Sequence, residues 1–188
     1  MKKNFILATA CMVLFACNNE KKDDKKMDDG DKTAMSSGDK KPASELLDVS
    51  AGESVKTSFE AFSKGDIDGL TANYDDNISY HWSGGDSLNG KQAVKDYYIA
   101  RWKLIDSLKF SNHIVLPIQV NESQAPEAAP PGKWVLHWAM VDIKYKNGKK
   151  LTFWLHNVNH YNDAGKVDFT NLFMDRHPIM EAIKDLVK

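Results

Sequence analysis

The sequence predicts an α+β fold in which helices come first and a curved antiparallel sheet follows. Residues 133–175 hold three aromatic-rich segments whose side chains alternate with period two, the pattern of half-buried strands. Two turn signals, Asn147-Gly148 and Asn162-Asp163-Ala164-Gly165, separate these segments, so they read as an antiparallel meander. Upstream, residues 45–107 contain three stretches of helical spacing. Helices early and a sheet late place the helices on one face of the sheet. Across the concave side of a curved sheet they enclose a cone-shaped cavity.

The first element is not part of that fold. Lys2 and Lys3 precede a mostly apolar run, residues 5–16, that is too short to span a membrane and fits a signal peptide. Leu14-Phe15-Ala16-Cys17 has the form of a bacterial lipobox, which makes Cys17 the expected lipidation site. The alternative is an ordinary cleaved secretory signal with an incidental cysteine, and the dense polar run that follows favours lipid. Cleavage before Cys17 leaves a single cysteine that carries lipid, so no disulfide is expected. The expected address is the bacterial cell envelope, anchored to a membrane through Cys17, with the domain outside the cytoplasm.

Residues 17–44 read as a disordered tether. They contain no aromatic residue, and two methionines are their only large apolar side chains, too little to offset chain entropy. Loss of Lys2 and Lys3 removes two positive charges and takes the formal charge from −1 to −3. That near-neutral balance, with no basic stripe, argues against a nucleic-acid partner.

The folded domain is expected over residues 45–188. A first helix spans 45–63, with Leu47, Val55, Phe59 and Phe62 on one side, and Gly65 stops it. Asp66 caps a short second helix to residue 74, and a strand follows over 78–83. The third helix spans 91–107 with an apolar side of Val94, Tyr97, Tyr98, Trp102 and Ile105. Residues 109–122 form a strand that Pro117 marks as an edge or a bulge. A proline-rich loop leads into the meander, and Pro178 opens a last helix over 179–187.

Three segments carry a family resemblance: SKGDIDGLTANYDDNISYHW (63–82), NGKQAVKDYY (89–98) and NHYNDAGKVDF (159–169). In order and spacing they resemble the NTF2-like superfamily, in its SnoaL-like and ketosteroid-isomerase-like branch, over about residues 54–175. The resemblance implies a cone with three N-terminal helices packed on the concave face of the sheet. In the ketosteroid isomerases an aspartate is the general base, and a tyrosine with a protonated aspartate forms the oxyanion hole. Counted from Tyr74-Asp75-Asp76, the base position falls on His81. Counted back from Ala164-Gly165-Lys166-Val167, the oxyanion aspartate position falls on Asn157. A supporting tyrosine matches Tyr98, and the tyrosine of the first helix falls on Ser58. These departures argue against steroid isomerase activity and leave a polar constellation of His81, Asn157 and Tyr98.

Strand parity extends the expected site. With Asn157 facing the cavity, Phe153, Leu155 and Asn159 share its face. Pairing across a two-residue Asn147-Gly148 turn adds Trp134, Leu136, Trp138, Met140 and Asp142. A mostly apolar lining with a few polar groups suits a small hydrophobic ligand. The other face, including Val141, Trp154, His156 and Val158, is too apolar for bare solvent and predicts a homodimer through the convex sheet face.

His81 is the candidate acid–base group, with Asn157 and Tyr98 as oxyanion donors. A histidine between Tyr80 and Trp82 is more often a structural strand residue bonded to a neighbour than a catalytic group. No metal site is expected, because His156 and His160 lie two pleats apart, about 13 Å. No cofactor is expected: there is no glycine-rich nucleotide loop, and no nucleophile-elbow motif. Two function classes stay open. One is a ligand-binding domain with proton-transfer or hydration chemistry at His81, and the other is a non-catalytic interaction or structural module.

Overall fold

The computed structural model describes residues 41–187. The predicted signal peptide, Cys17 and most of the predicted tether lie outside the described residues. In chain order the elements are β1 (Ser44–Leu46), a 3-10 turn (Val49–Gly52), α1 (Glu53–Ser63), α2 (Ile67–Leu70), β2 (Tyr74–Trp82), β3 (Ser87–Asn89), α3 (Lys91–Trp102), β4 (Ile105–Val120), β5 (Gly132–Tyr145), β6 (Lys150–Tyr161), β7 (Val167–Phe173) and α4 (His177–Ile183). One sheet holds all seven strands in the order β1-β4-β5-β6-β7-β2-β3. Every neighbouring pair is antiparallel except β2 with β7. This is the predicted α+β class, a curved, unclosed sheet with few helices.

The helices follow local chemistry. In α1, Val55, Ser58 and Phe62 are buried at spacings of three and four, so one stripe meets the sheet. Gly65 ends this segment at φ 78°, and a Cβ there would sit 2.6 Å from the Trp102 ring, so only glycine fits. Asp66 caps α2 by accepting from the Gly69 N–H at 2.7 Å.

All four helices differ from expectation in their bounds. α2 ends at Leu70 and not at residue 74, α4 spans His177–Ile183 and not 179–187, and the other two differences have a visible cause. The segment expected to open the first helix instead begins as β1, because Ser44–Leu46 pair with Ile118–Val120 along the free edge of β4. Leu47 N–H then donates to the Pro117 carbonyl at 3.0 Å. The third helix stops at Trp102 because Ile105 already pairs with Tyr145 as the first residue of β4.

The turn between β5 and β6 sets the register. Tyr145 N–H donates to the Lys149 carbonyl at 2.9 Å, and Gly148 N–H donates to the Tyr145 carbonyl at 2.8 Å. Gly148 has φ 84°, and Asn147 is not among the positive-φ residues. The connection is therefore a three-residue loop closed by a left-handed glycine, not a two-residue turn with both central residues left-handed. A side chain at Gly148 would cost about 1–2 kcal/mol.

That one extra loop residue shifts the pairing by one, which exchanges the two faces of a strand. The observed pairs are Val141 with Phe153, Ala139 with Leu155, His137 with Asn157 and Val135 with Asn159. Trp134, Leu136, Trp138, Met140 and Asp142 therefore lie on the outer face, opposite His160, Val158, His156, Trp154 and Thr152. The expected cavity face of β5 is corrected accordingly. His137, Val141 and Ile143 point inward, not outward.

A bulge in β4 acts in the same direction. Between the pairs Ser111–Met140 and Ile114–Trp138, β4 carries Asn112 and His113 against Ala139 alone, and Asn112 has φ 52°. The extra residue lets both Phe110 and Val115 face inward, opposite Val141 and His137. The resulting core contains Ile78, Tyr80, Trp82, Val94, Val135, Val141, Leu155 and Leu172, with Ile183 of α4 added beneath.

Candidate functional site

The inner sheet face and helices α1 and α3 line an apolar cavity of about 110 Å³ that opens to solvent on one side. Alternation along β2 buries Ile78, Tyr80 and Trp82 on the inner side, and Tyr80 and Trp82 form one wall. Phe59 and Phe62 of α1 form a second wall, packed edge-on and tilted against Phe110 of β4. Tyr97, Tyr98 and Arg101 of α3 form a third, and Phe153, Leu155 and Leu172 supply the floor. Met174, Arg176 and Ile179, from the end of β7 into α4, complete the lining.

The polar content of this cavity is small and specific. The hydroxyls of Tyr80 and Tyr98 lie 2.5 Å apart. One O–H proton fills that bond, so the other O–H of the pair is left to serve a further acceptor. Burial pushes both phenols well above their ordinary value, and the neighbouring tyrosines add to it. Both are therefore neutral donors at any physiological pH. The charged groups of the lining are Arg101 and Arg176, and it contains no carboxylate and no imidazole.

The structure brings some predicted site residues together and separates others. Tyr98 and Phe153 line the cavity. His81 lies on the opposite face of the sheet, because it alternates with the inward Tyr80 and Trp82. Its Nε2 is 2.7 Å from Ser79 Oγ, and its ring is 5.2 Å from that of Phe169. Asn157 and Asn159 face inward, beside the cavity and not in its lining. Asn157 Nδ2 donates to Thr170 Oγ1 at 3.2 Å, and Thr170 Oγ1 donates to Asn159 Oδ1. Asn159 borders a separate void of only about 10 Å³ with Ser54, Ser58 and Tyr161.

The remaining expected ligand contacts belong to the outer face. Trp134 Nε1 donates to the Pro130 carbonyl at 2.9 Å, Trp138 stacks on His156 at 4.4 Å, Met140 pairs with Trp154, and Asp142 accepts from Thr152 at 2.6 Å. The geometry does not assemble His81, Asn157 and Tyr98 around one point.

Sequence reasoning also missed a contact between two histidines, one of them buried. His137 is fully buried, its ring 4.9 Å from Phe59, and its Nε2 is 2.9 Å from His113 Nδ1. His137 Nδ1 and Asn157 Oδ1, on directly paired residues, are both buried without a partner. Burial, reinforced by His113 and His156, lowers the His137 pKa to about 4. The other missed lining residues, Tyr80, Trp82, Phe59 and Arg101, follow from strand alternation and helical stripes once His81 is placed outside.

The depressed His137 pKa has a defined sign. Between about pH 6.5 and pH 4 the unfolded chain binds a proton that the folded chain does not, so stability is full above that window and falls as pH drops through it. The loss is at most ~3 kcal/mol. Urea unfolding midpoints should fall between about pH 7 and pH 4.5, and His137→Leu should flatten that slope. Equal slopes in both proteins would remove His137 as the cause.

Comparison with known proteins supplies the family. The profile described as a SnoaL-like domain matches residues 55–168, more than half of the chain. A putative polyketide cyclase from Pseudomonas putida superposes with TM-score 0.56 at 14% identity, covering 70% of this chain and 96% of its own. An LEH-like epoxide hydrolase from M. tuberculosis gives 0.52 at 15%, covering 72% and 90%. An NTF2-like protein of unknown function from Burkholderia pseudomallei gives 0.51 at 17%, covering 70% and 95%. No match was found among curated proteins. At such identities these structures speak to fold alone. The cone, the cavity and the matched span agree, and the chain belongs to the SnoaL-like family of NTF2-like domains.

Proposed function

We propose that this domain binds a small, largely apolar molecule in the cone cavity and acts as a binding module. The carrying observation is the cavity itself: about 110 Å³ of apolar-walled space with one phenolic O–H of the Tyr80–Tyr98 pair to spare. An engineered apolar cavity of about 150 Å³ takes benzene, so this volume suits a short chain or part of a single ring. The lining offers hydrogen-bond donors and no group that titrates near neutral pH. His81, the expected base, sits across the sheet, so binding is favoured over His81-dependent turnover. Titration with 1-hexanol should shift the NMR signals of Leu155 and Leu172 in the wild type. Leu155→Phe, which fills the space, should suppress the shift of Leu172. Equal shifts in both proteins, or none in the wild type, would sink this reading.

The outer sheet face supports a second part of the proposal, a homodimer. Ile114 is 55% exposed and Trp154 48%, with Leu116 and Phe173 beside them, an apolar stripe large enough to want a partner. Trp138 lies between, shared with Ile114 and Trp154 in one shallow hollow. Trp154→Glu should halve the mass seen by sedimentation. A wild type that sediments as a monomer would refute the interface.

The same reading keeps the domain in the bacterial envelope. Its support is the Lys2-Lys3 start, the apolar run and the Leu14–Cys17 motif. Cys17→Ser should move the protein from the membrane fraction to the soluble one. Retention in the membrane fraction would count against lipidation at Cys17.

A further inference from the structure

The charges around the cavity are of one sign, and one of them is uncompensated. Arg176 is bound to Asp86 and stacked 5.3 Å from the Trp82 ring, so its charge is already matched. Arg101 makes no ion pair among the described residues. Its Nε donates to the Tyr97 hydroxyl at 3.1 Å, and Nη2 reaches only the Met180 thioether, a weak acceptor, at 3.6 Å. The guanidinium carbon sits 5.3 Å from the Tyr97 ring centre, so the fork is held in place on an aromatic face. Most of its N–H groups remain unassigned to protein acceptors. A guanidinium fixed at the border of an apolar cavity, and lacking a carboxylate, has the geometry that a carboxylate accepts in bidentate fashion.

We propose that the molecule held in this cavity is a small carboxylate, its apolar tail against Phe153, Leu155 and Leu172 and its carboxylate on the Arg101 guanidinium. This rests on the reading of the cavity as a ligand site and adds the class of ligand. The Arg101 charge reaches into the space concerned. It opposes the upward push that burial exerts on the Tyr98 and Tyr145 phenols, both of which line the cavity. Tyr97, whose hydroxyl accepts from Arg101, keeps its own O–H for a second carboxylate oxygen. The volume limits the tail to a few carbons or a single ring that protrudes towards Arg101.

The test is a matched pair of probes, hexanoate and 1-hexanol, titrated calorimetrically into the full domain at low salt. Hexanoate should bind wild type at least about tenfold more tightly than 1-hexanol, the scale of one charge-assisted hydrogen bond. Arg101→Gln should erase that preference by weakening hexanoate more than 1-hexanol, and Arg101→Lys should keep part of it. Equal affinities in the wild type, or a preference that survives Arg101→Gln and disappears in Arg176→Gln, would overturn the carboxylate inference and leave the cavity reading standing. If neither probe binds wild type, the cavity reading fails and the inference fails with it. Should Arg101→Gln not fold, Arg101→Lys decides: an undiminished hexanoate preference there means that the fork does not hold the carboxylate.

Discussion

The pairing of β5 with β6 is the constraint on which the rest of this domain depends. Side chains on a strand alternate strictly, so one residue of register decides which of two complete sets of side chains becomes core. A left-handed Gly148 after Lys146 and Asn147 makes the loop three residues long. That choice buries Val135, His137, Ala139 and Val141. It leaves Trp138 and Met140 on the other side. The bulge at Asn112-His113 keeps β4 in step with the same decision, so Phe110 can meet Val141 and Phe59. A two-residue loop would instead turn Trp134, Trp138 and Met140 towards the cone.

Much of this was legible in the sequence, and the failures have one physical origin. The meander, the short second helix, the Gly65 stop and the helical stripes of Phe59, Phe62 and Tyr98 are local patterns and survive into the structure. Register is not local. The pair Asn147-Gly148 is compatible with two loop lengths, and nothing in the flanking residues chooses between them, because both faces of β5 are apolar. His81 was assigned by counting along a family pattern, which carries a position and not a direction. Direction was written in Ile78, Tyr80 and Trp82, whose alternation is as clear as any in the chain. Asn157 was expected inward and is inward, yet it is not in the cavity lining, and its amide donates to Thr170. The strand β1 was beyond reach, since Ser44-Glu45-Leu46 has no strand pattern of its own and is ordered only by the edge it meets.

The interior shows how a small polar complement can be distributed in an apolar cone. The Tyr80–Tyr98 pair stays neutral within the cavity wall, with one O–H to spare. Two further polar groups, the His113–His137 pair and the Asn157–Thr170–Asn159 set, lie outside that wall, and in them His137 Nδ1 and Asn157 Oδ1 have no partner. Phe59, which lines the cavity, packs against both His137 and Phe110. Unpartnered buried polar atoms destabilise a core. Their position outside the lining keeps the cavity itself apolar.

The parallel pairing of β2 with β7 carries a consequence for how the chain assembles. β2 and β3 are made early, yet their only neighbour in the sheet beyond each other is β7, near the other end of the domain. A growing chain cannot seat Tyr80 and Trp82 until residues 167–173 exist, and until then those rings have no sheet behind them. The contacts that close the fold span most of its length, the class of topology whose closure entropy slows folding. The aromatic cavity is therefore complete only once β7 is in place beside β2.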